Sequence, residues 1–229
     1  MHSSNELQAI YDRRFNAHIA YRQKVWQVLV ADYFSKFVPQ NGSILDLGCG
    51  YGEFINHVVC KQKYGMDLNT RARERLNRDV NFIEQDCSHP WPLPNNSLDV
   101  VFTSNFFEHL PSKEVLAQTL MQAQRCLKPG GKIIALGPNI RFVGGAYWDF
   151  WDHHLALTDS SLAEVMQVQG LQVERVIDRF LPYTMVNQRT VPSLLVRLYL
   201  KMPFLWQFLG KQFLVIGRKI DSERSPVHG

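Results

Sequence analysis

Ile44-Leu45-Asp46-Leu47-Gly48-Cys49-Gly50-Tyr51-Gly52-Glu53-Phe54 is the stretch that decides how the rest of this 229-residue chain is read. Ile44 to Leu47 reads as a short buried strand, broken by glycines at positions 48, 50 and 52. Glycine lets a backbone turn tightly and lets a ligand approach the main chain closely. Apolar residues resume at Phe54, Ile55, Val58 and Val59 with helical spacing. A strand, a glycine turn and a helix start predict a nucleotide-sized site at the carboxyl end of a parallel sheet. Asp46, just ahead of the turn, can accept hydrogen bonds from a cationic or amine-bearing ligand.

The turn departs from the dinucleotide fingerprint G-x-G-x-x-G, because Glu53 follows Gly52 and no glycine packs the helix onto the strand. The pattern Asp46-x-Gly48-x-Gly50-x-Gly52 resembles the first motif of class I S-adenosylmethionine-dependent methyltransferases. In that family the turn passes close to the amino-acid part of the cofactor. Further stretches fall in the family's order. Lys63 to Asp67 resembles the second strand, and its terminal Asp67 is the expected ribose ligand, since a carboxylate accepts from both hydroxyls of a diol. Phe82 to Cys87 resembles the third strand, with Asp86 matching the residue that faces the adenine amino group. Leu98 to Asn105 resembles the fourth, followed by Phe106-Phe107-Glu108-His109-Leu110. Leu127 to Leu136, through Lys128-Pro129-Gly130-Gly131, resembles the turn into the fifth.

The resemblance covers roughly residues 40 to 180, with a last strand expected at Gln212 to Ile220. It implies an α/β, Rossmann-like, seven-stranded, mostly parallel sheet with helices on both faces and an antiparallel last strand. It also implies S-adenosylmethionine as cofactor, held by Asp46, Gly48, Cys49, Gly50, Asp67, Leu68, Asp86, Cys87 and Asn105.

Composition agrees. Hydrophobic residues at 45% and charged residues at 20% describe a globular chain of one domain's length. The net charge of +4 is too mild to indicate a nucleic-acid partner, and none is expected. The four cysteines lack C-x-x-C spacing and read as reduced thiols. Met1 to Asn5 carries no basic-then-apolar leader, so a cytoplasmic protein is expected, with peripheral contact to the inner face of the membrane as one use of its tail.

Residues 1-39 read as an N-terminal helical lid in which Tyr11, Phe15 and Arg22 are candidate contacts to the cleft; packing onto the sheet is the alternative. Residues 40-180 form the cofactor-binding core, with a helix from an N-cap at Ser112 to Cys126 and another from Asp159 to Val168. Strand six is expected over Leu171 to Phe180. Residues 181-211 form an amphipathic helical insert, 212-220 the last strand and 221-229 a flexible tail. Within 191-209, Leu194, Leu195, Leu198 and Met202 share one helical face and Arg197 and Lys201 another. The segment suits a membrane interface, or else docking on the domain's own sheet edge or against the second subunit of a homodimer.

The chemistry is sought in the loop after strand five. Tyr147-Trp148-Asp149-Phe150-Trp151-Asp152-His153-His154 reads as a substrate loop with Tyr147, Trp148 and Trp151 as contacts, or as an aromatic cluster sealing the sheet end. Methyl transfer chiefly needs acceptor and methyl aligned, and a hydroxyl acceptor gains from a base. His109, His154 and His153 are the candidate bases, and Glu108 reads as a hydrogen-bond anchor. No metal is expected, because adjacent histidines seldom point the same way in an extended loop. The resulting expectation is O-methylation of a small or amphiphilic acceptor, such as a quinone precursor or a lipid-linked sugar. An NAD-dependent oxidoreductase and a non-catalytic cofactor-binding protein are the alternatives.

Overall fold

The structure, a computed structural model, describes residues 19–183 and 190–220. Tyr11, Phe15 and the tail 221–229 lie outside the described residues.

Helix α1 (Ile19–Leu29) passes through one wide turn (Val30–Phe34) and a 3-10 turn (Ser35–Phe37) before the chain enters the sheet. The strands are β1 (Ser43–Leu47), β2 (Gln62–Asp67), β3 (Val80–Glu84), β4 (Leu98–Ser104), β5 (Leu127–Pro138), β6 (Leu171–Leu181) and β7 (Gln212–Lys219). They form one seven-stranded sheet in the order β3-β2-β1-β4-β5-β7-β6. β1 to β5 pair in parallel, whereas β7 runs antiparallel to both its neighbours. This is the expected sheet.

Successive strand residues point to opposite faces, so an apolar run serves two cores at once. In β5, Ile133 and Ala135 join one core while Ile134 and Leu136 join the other. In β7, Phe213 and Val215 likewise alternate with Leu214 and Ile216. One face is covered by α2 (Lys113–Cys126) and α4 (Asp159–Val168), which bury Leu116, Leu120, Leu162 and Met166. The Ser112 hydroxyl accepts from the Val115 amide at 3.4 Å, making it the N-cap of α2 as its position suggests. The other face is covered by α1 and its extension, and by α5 (Ser193–Leu200) and α6 (Pro203–Leu209). A short α3 (Ile140–Val143) follows β5.

One expectation fails. No α-helix follows the glycine turn; residues 52–57 make isolated turns. Gly52 has φ +74°, outside the helical region, and the Asn56 carbonyl accepts from the Asn77 side-chain amide at 3.0 Å rather than extending a helix. Phe54, Ile55 and Val58 are still buried, whereas Val59 is exposed. The apolar spacing therefore reported burial correctly and secondary structure incorrectly.

Candidate active site

The β1–β4 ends and the loops that leave them enclose a cavity of about 480 Å³. That volume lies in the range of small-molecule sites. Every cofactor residue named from the sequence lines it: Asp46, Gly48, Cys49, Gly50, Asp67, Leu68, Asp86, Cys87 and Asn105. His109, His153, His154 and Arg22 line it as well.

The floor is the glycine turn. The Gly48 and Cys49 amides donate to the Met66 carbonyl at 2.9 and 3.1 Å, which folds the turn over β2. Gly48, Gly50 and Gly52 all have positive φ. Asp67 ends β2 and braces the turn: its Oδ2 accepts from the Gly50 amide at 2.9 Å and its Oδ1 from the Asn69 amide at 2.9 Å. Each oxygen keeps a second lone pair, enough to take a diol. Burial pushes the Asp67 carboxyl above its ordinary value, against the pull of those amides. Asp46 is raised further, first by burial and then by the charge of Glu53. Such groups recover their charge when a cation or hydrogen-bond donor joins them.

Arg22 on α1 reaches Glu53 at 3.0 Å, so the lead-in helix is tied to the glycine turn. Trp26, one turn further along, packs edge-on against Phe54 and Phe102, which stack on each other with ring centroids 3.5 Å apart. Asp86 lies two residues beyond the end of β3, and its Oδ1 accepts from the amide and the hydroxyl of Ser88. Asn105 stands at φ +48°, and its buried Oδ1 has no hydrogen-bond partner among the described residues. An orphaned acceptor on a cavity wall fits a ligand that brings donors. Together with the glycine cradle and the open acceptor positions of Asp67, it makes this site fit S-adenosylmethionine.

The opposite wall carries the titratable groups. His109 Nδ1 lies 3.2 Å from Asp152 Oδ2 and 3.0 Å from the Asp152 carbonyl. A hydrogen bond in that direction leaves Nε2 as the basic nitrogen of the neutral ring. Burial pulls His109 down, but the Asp152 hydrogen bond and the charge of Glu108 outweigh it, and the net shift is upward. Glu108 is buried, and loss of hydration raises its carboxyl to about 7. Its carbonyl accepts from the amides of His154 and Leu155 at 2.8 and 3.1 Å, which fastens the aromatic loop to the end of β4.

His153 is buried in a ring cluster, stacked on Phe150 at 4.9 Å and edge-on to His109 at 4.9 Å. His154 is exposed at the cavity mouth. The adjacent histidines thus do reach one cavity. One donor atom from each of Glu108, His109 and His153 lies within 4.8 Å of the others, a set that could accept a divalent cation.

The substrate contacts named from the loop fare differently. Tyr147 is fully buried, and its hydroxyl donates to the Leu155 carbonyl, so it holds the loop together and lies outside the cavity lining. Trp148 and Trp151 are 58% and 83% exposed and also lie outside the lining. Tyr183, which the sequence reading passed over, lines the cavity. Asp152 stands in the sequence as one more acid of the aromatic loop. Its tie to His109 across 43 positions leaves no local signal.

Residues 45–135 match the profile of the methyltransferase domain family. A protein of Mycolicibacterium smegmatis named as a probable S-adenosylmethionine-dependent methyltransferase is 30% identical over 143 residues, covering 60% of this chain and 54% of the relative. The 2-methyl-6-phytyl-1,4-hydroquinone methyltransferase of Synechocystis is 26% identical over 156 residues, covering 58% and 48%. The chain thus spans about half the length of these two relatives. A solved S-adenosylmethionine-dependent methyltransferase from Archaeoglobus fulgidus superposes with a TM-score of 0.62 over 86% of this chain and 94% of that one. At 19% identity it speaks for the fold alone. Residues 45–135 thus match the methyltransferase domain family, and the seven-stranded sheet they belong to is shared with solved S-adenosylmethionine-dependent methyltransferases. The Mycolicibacterium relative is named for dependence on S-adenosylmethionine, the cofactor that the residues lining this cavity fit.

Asp67→Ala weakens binding of S-adenosylhomocysteine by about 1 kcal/mol or more, because the diol acceptors and the brace on Gly50 are lost together; calorimetry that finds unchanged affinity removes Asp67 from the site. Glu108 is neutral when buried at low pH, so its stabilising contribution is fully present below its ordinary 4.5 and is lost as pH rises through about 7. Glu108→Gln escapes that loss, so its stability relative to the parent improves between pH 5 and pH 8 by roughly 2–3 kcal/mol. Denaturant titrations at both pH values check this, and parallel pH dependence in parent and variant contradicts it.

Proposed function

We propose that this protein transfers the methyl group of S-adenosylmethionine to a hydroxyl of a small or amphiphilic acceptor, such as a quinone precursor or a lipid-linked sugar, with His109 as base. The observation that carries this reading is the His109–Asp152 pair on the cavity wall facing the glycine turn and Asp67. S-adenosylmethionine supplies a methyl group already activated by its sulfonium.

The chain's own residues do the rest. The turn from Gly48 to Gly52 and Asp67 hold the nucleoside and amino-acid parts; Arg22 and Trp26 cover them and limit water. Asp152 holds Nδ1 of His109, keeping Nε2 free to take the hydroxyl proton. His154 at the mouth and His153 behind it complete the polar wall toward the acceptor. The Synechocystis relative is named for a phytyl-bearing hydroquinone, an acceptor type with both a hydroxyl and an apolar chain.

The test incubates the protein with methyl-labelled S-adenosylmethionine and separated soluble and membrane extracts. Label in the organic-extractable fraction supports an amphiphilic acceptor. Label only in the aqueous fraction keeps the enzyme and removes the amphiphile. Thermal stabilisation by NAD without stabilisation by S-adenosylhomocysteine would replace this reading with the oxidoreductase. A second reading rests on the Glu108, His109 and His153 donor set: if exhaustive chelation abolishes transfer and one divalent ion restores it, these groups hold a metal and His109 is not the base.

A further inference from the structure

We propose that the outer face of the α5–α6 hairpin docks on an anionic lipid surface, setting the cavity mouth beside the membrane. The hairpin is fastened to the domain by its inner face. Leu200 and Trp206 are buried, Trp206 Nε1 donates to the Tyr199 carbonyl at 2.9 Å, and the Tyr199 hydroxyl donates to the Phe180 carbonyl at 2.7 Å. That leaves the other face apolar and uncovered. Leu194, Leu195, Leu198, Phe204, Phe208 and Leu209 are each between 45% and 74% exposed. Six large apolar side chains on two adjacent helices are more than scattered surface hydrophobics, and a patch of this kind marks a docking site.

Charge selects the occupant. Residues 190–211 contain Arg197, Lys201 and Lys211 and no acidic residue. Lys201 and Lys211 are exposed, whereas Arg197 lies 3.5 Å from Asp32. An isologous contact with a second copy would bring these like charges together on a shared axis. Apolar side chains rimmed by lysines match an anionic lipid surface, where the chains enter the acyl boundary and the ammonium groups meet phosphates. No helix among the described residues is long and apolar enough to cross a membrane, so the contact lies on the surface.

Topology puts this face at the right end of the molecule. Gln212 opens β7 opposite both Pro138 at the end of β5 and Leu181 at the end of β6. The insert therefore leaves and re-enters the sheet at the carboxyl edge, the same edge that bears the cavity. Arg179 donates to the carbonyls of Gly210 and Phe208 and lies over the Phe142 ring, joining the hairpin to the loop after β5. Tyr183 lines the cavity and meets Phe150, which stacks on His153. Delivery of an acceptor from lipid rests on the methyl-transfer reading; the docking itself does not.

The experiment is co-sedimentation of the full chain with vesicles of phosphatidylcholine alone and of phosphatidylcholine mixed with phosphatidylglycerol, at low and high salt. Binding to the anionic vesicles that weakens with salt is expected. Leu198→Glu and Phe208→Glu should each reduce it about tenfold. Lys201→Glu with Lys211→Glu, which leaves the apolar face unchanged, should also reduce it. S-adenosylhomocysteine affinity, measured on the same samples, stays at the parent value if the variants fold. A parent that binds no S-adenosylhomocysteine would instead indict the methyl-transfer reading and leave the vesicle result standing. No sedimentation of the parent overturns the proposal. So does equal sedimentation with neutral vesicles, or a dimer in solution that Leu198→Glu converts to monomer without any vesicle binding.

Discussion

Gly48→Ala is expected to abolish useful cofactor binding, with the dissociation constant for S-adenosylhomocysteine rising about a hundredfold. A methyl group at position 48 would sit 2.4 Å from the Cγ and Cδ2 atoms of Phe106, where no carbon can stay. The backbone there has φ +69°, a region that costs an alanine about 1–2 kcal/mol by itself. Overpacking adds about 1–3 kcal/mol if the ring is to give way. The sequence reading attributed this glycine to the approach of a ligand; Phe106 is the nearer neighbour. Moving Phe106 also disturbs the 3-10 turn Phe107–His109 that carries Glu108 and His109, so turnover falls with affinity. Calorimetric titration, with far-UV circular dichroism to confirm folding, reads the effect. Parent-like affinity in a folded variant would place the ligand elsewhere.

His109→Ala should lower kcat by about 10²–10⁴-fold, the span of a lost general base. Its cofactor affinity should remain near that of the parent. The pH profile gives the sharper test. A base must be neutral to accept a proton, and Asp152 with Glu108 holds His109 above its usual value despite burial. The parent's rate should therefore climb with pH through a midpoint above the 6.5 of an ordinary histidine. Asp152→Asn removes the charge while retaining an oxygen near Nδ1, so its acid limb should move to lower pH as kcat falls. A purely structural role for Asp152 would lower the rate and leave the midpoint in place. Parent-like kcat in His109→Ala would pass the role to His154 or end the search for a base.

The parts of the site legible in the sequence are those whose geometry is local. Asp46, Gly48, Gly50 and Asp67 sit within one strand-turn-strand unit, and strand ends dictate where such residues face. His109 follows β4 within a few residues, so its place at the cavity was legible for the same reason. Tyr147 stayed open between substrate contact and sealing residue because an aromatic in a loop looks the same whether it meets a ligand or pins the loop; its burial and its bond to the Leu155 carbonyl favour the second. The missing helix after Gly52 has a similar cause. Its hydrophobic spacing records burial, while Asn56 and Asn77, far apart in sequence, consume the hydrogen bonds a helix would need.

The class of fold was already legible in the chain, because alternating apolar strands and one glycine turn admit few other sheets. The chain's resemblance to the methyltransferase motifs pointed to the cofactor, with the acids near the ends of β1 and β2 flanking that turn wherever the sheet forms. Which histidine has a carboxylate behind it emerges from the three-dimensional packing, because Asp152 reaches His109 through a loop whose path no local pattern encodes. That packing likewise decided which face of the insert is turned outward. An amphipathic helix buries one side, and the choice between Leu198 and Leu200 belongs to the packing surface that Tyr33, Phe180 and Trp206 build together from three distant parts of the chain.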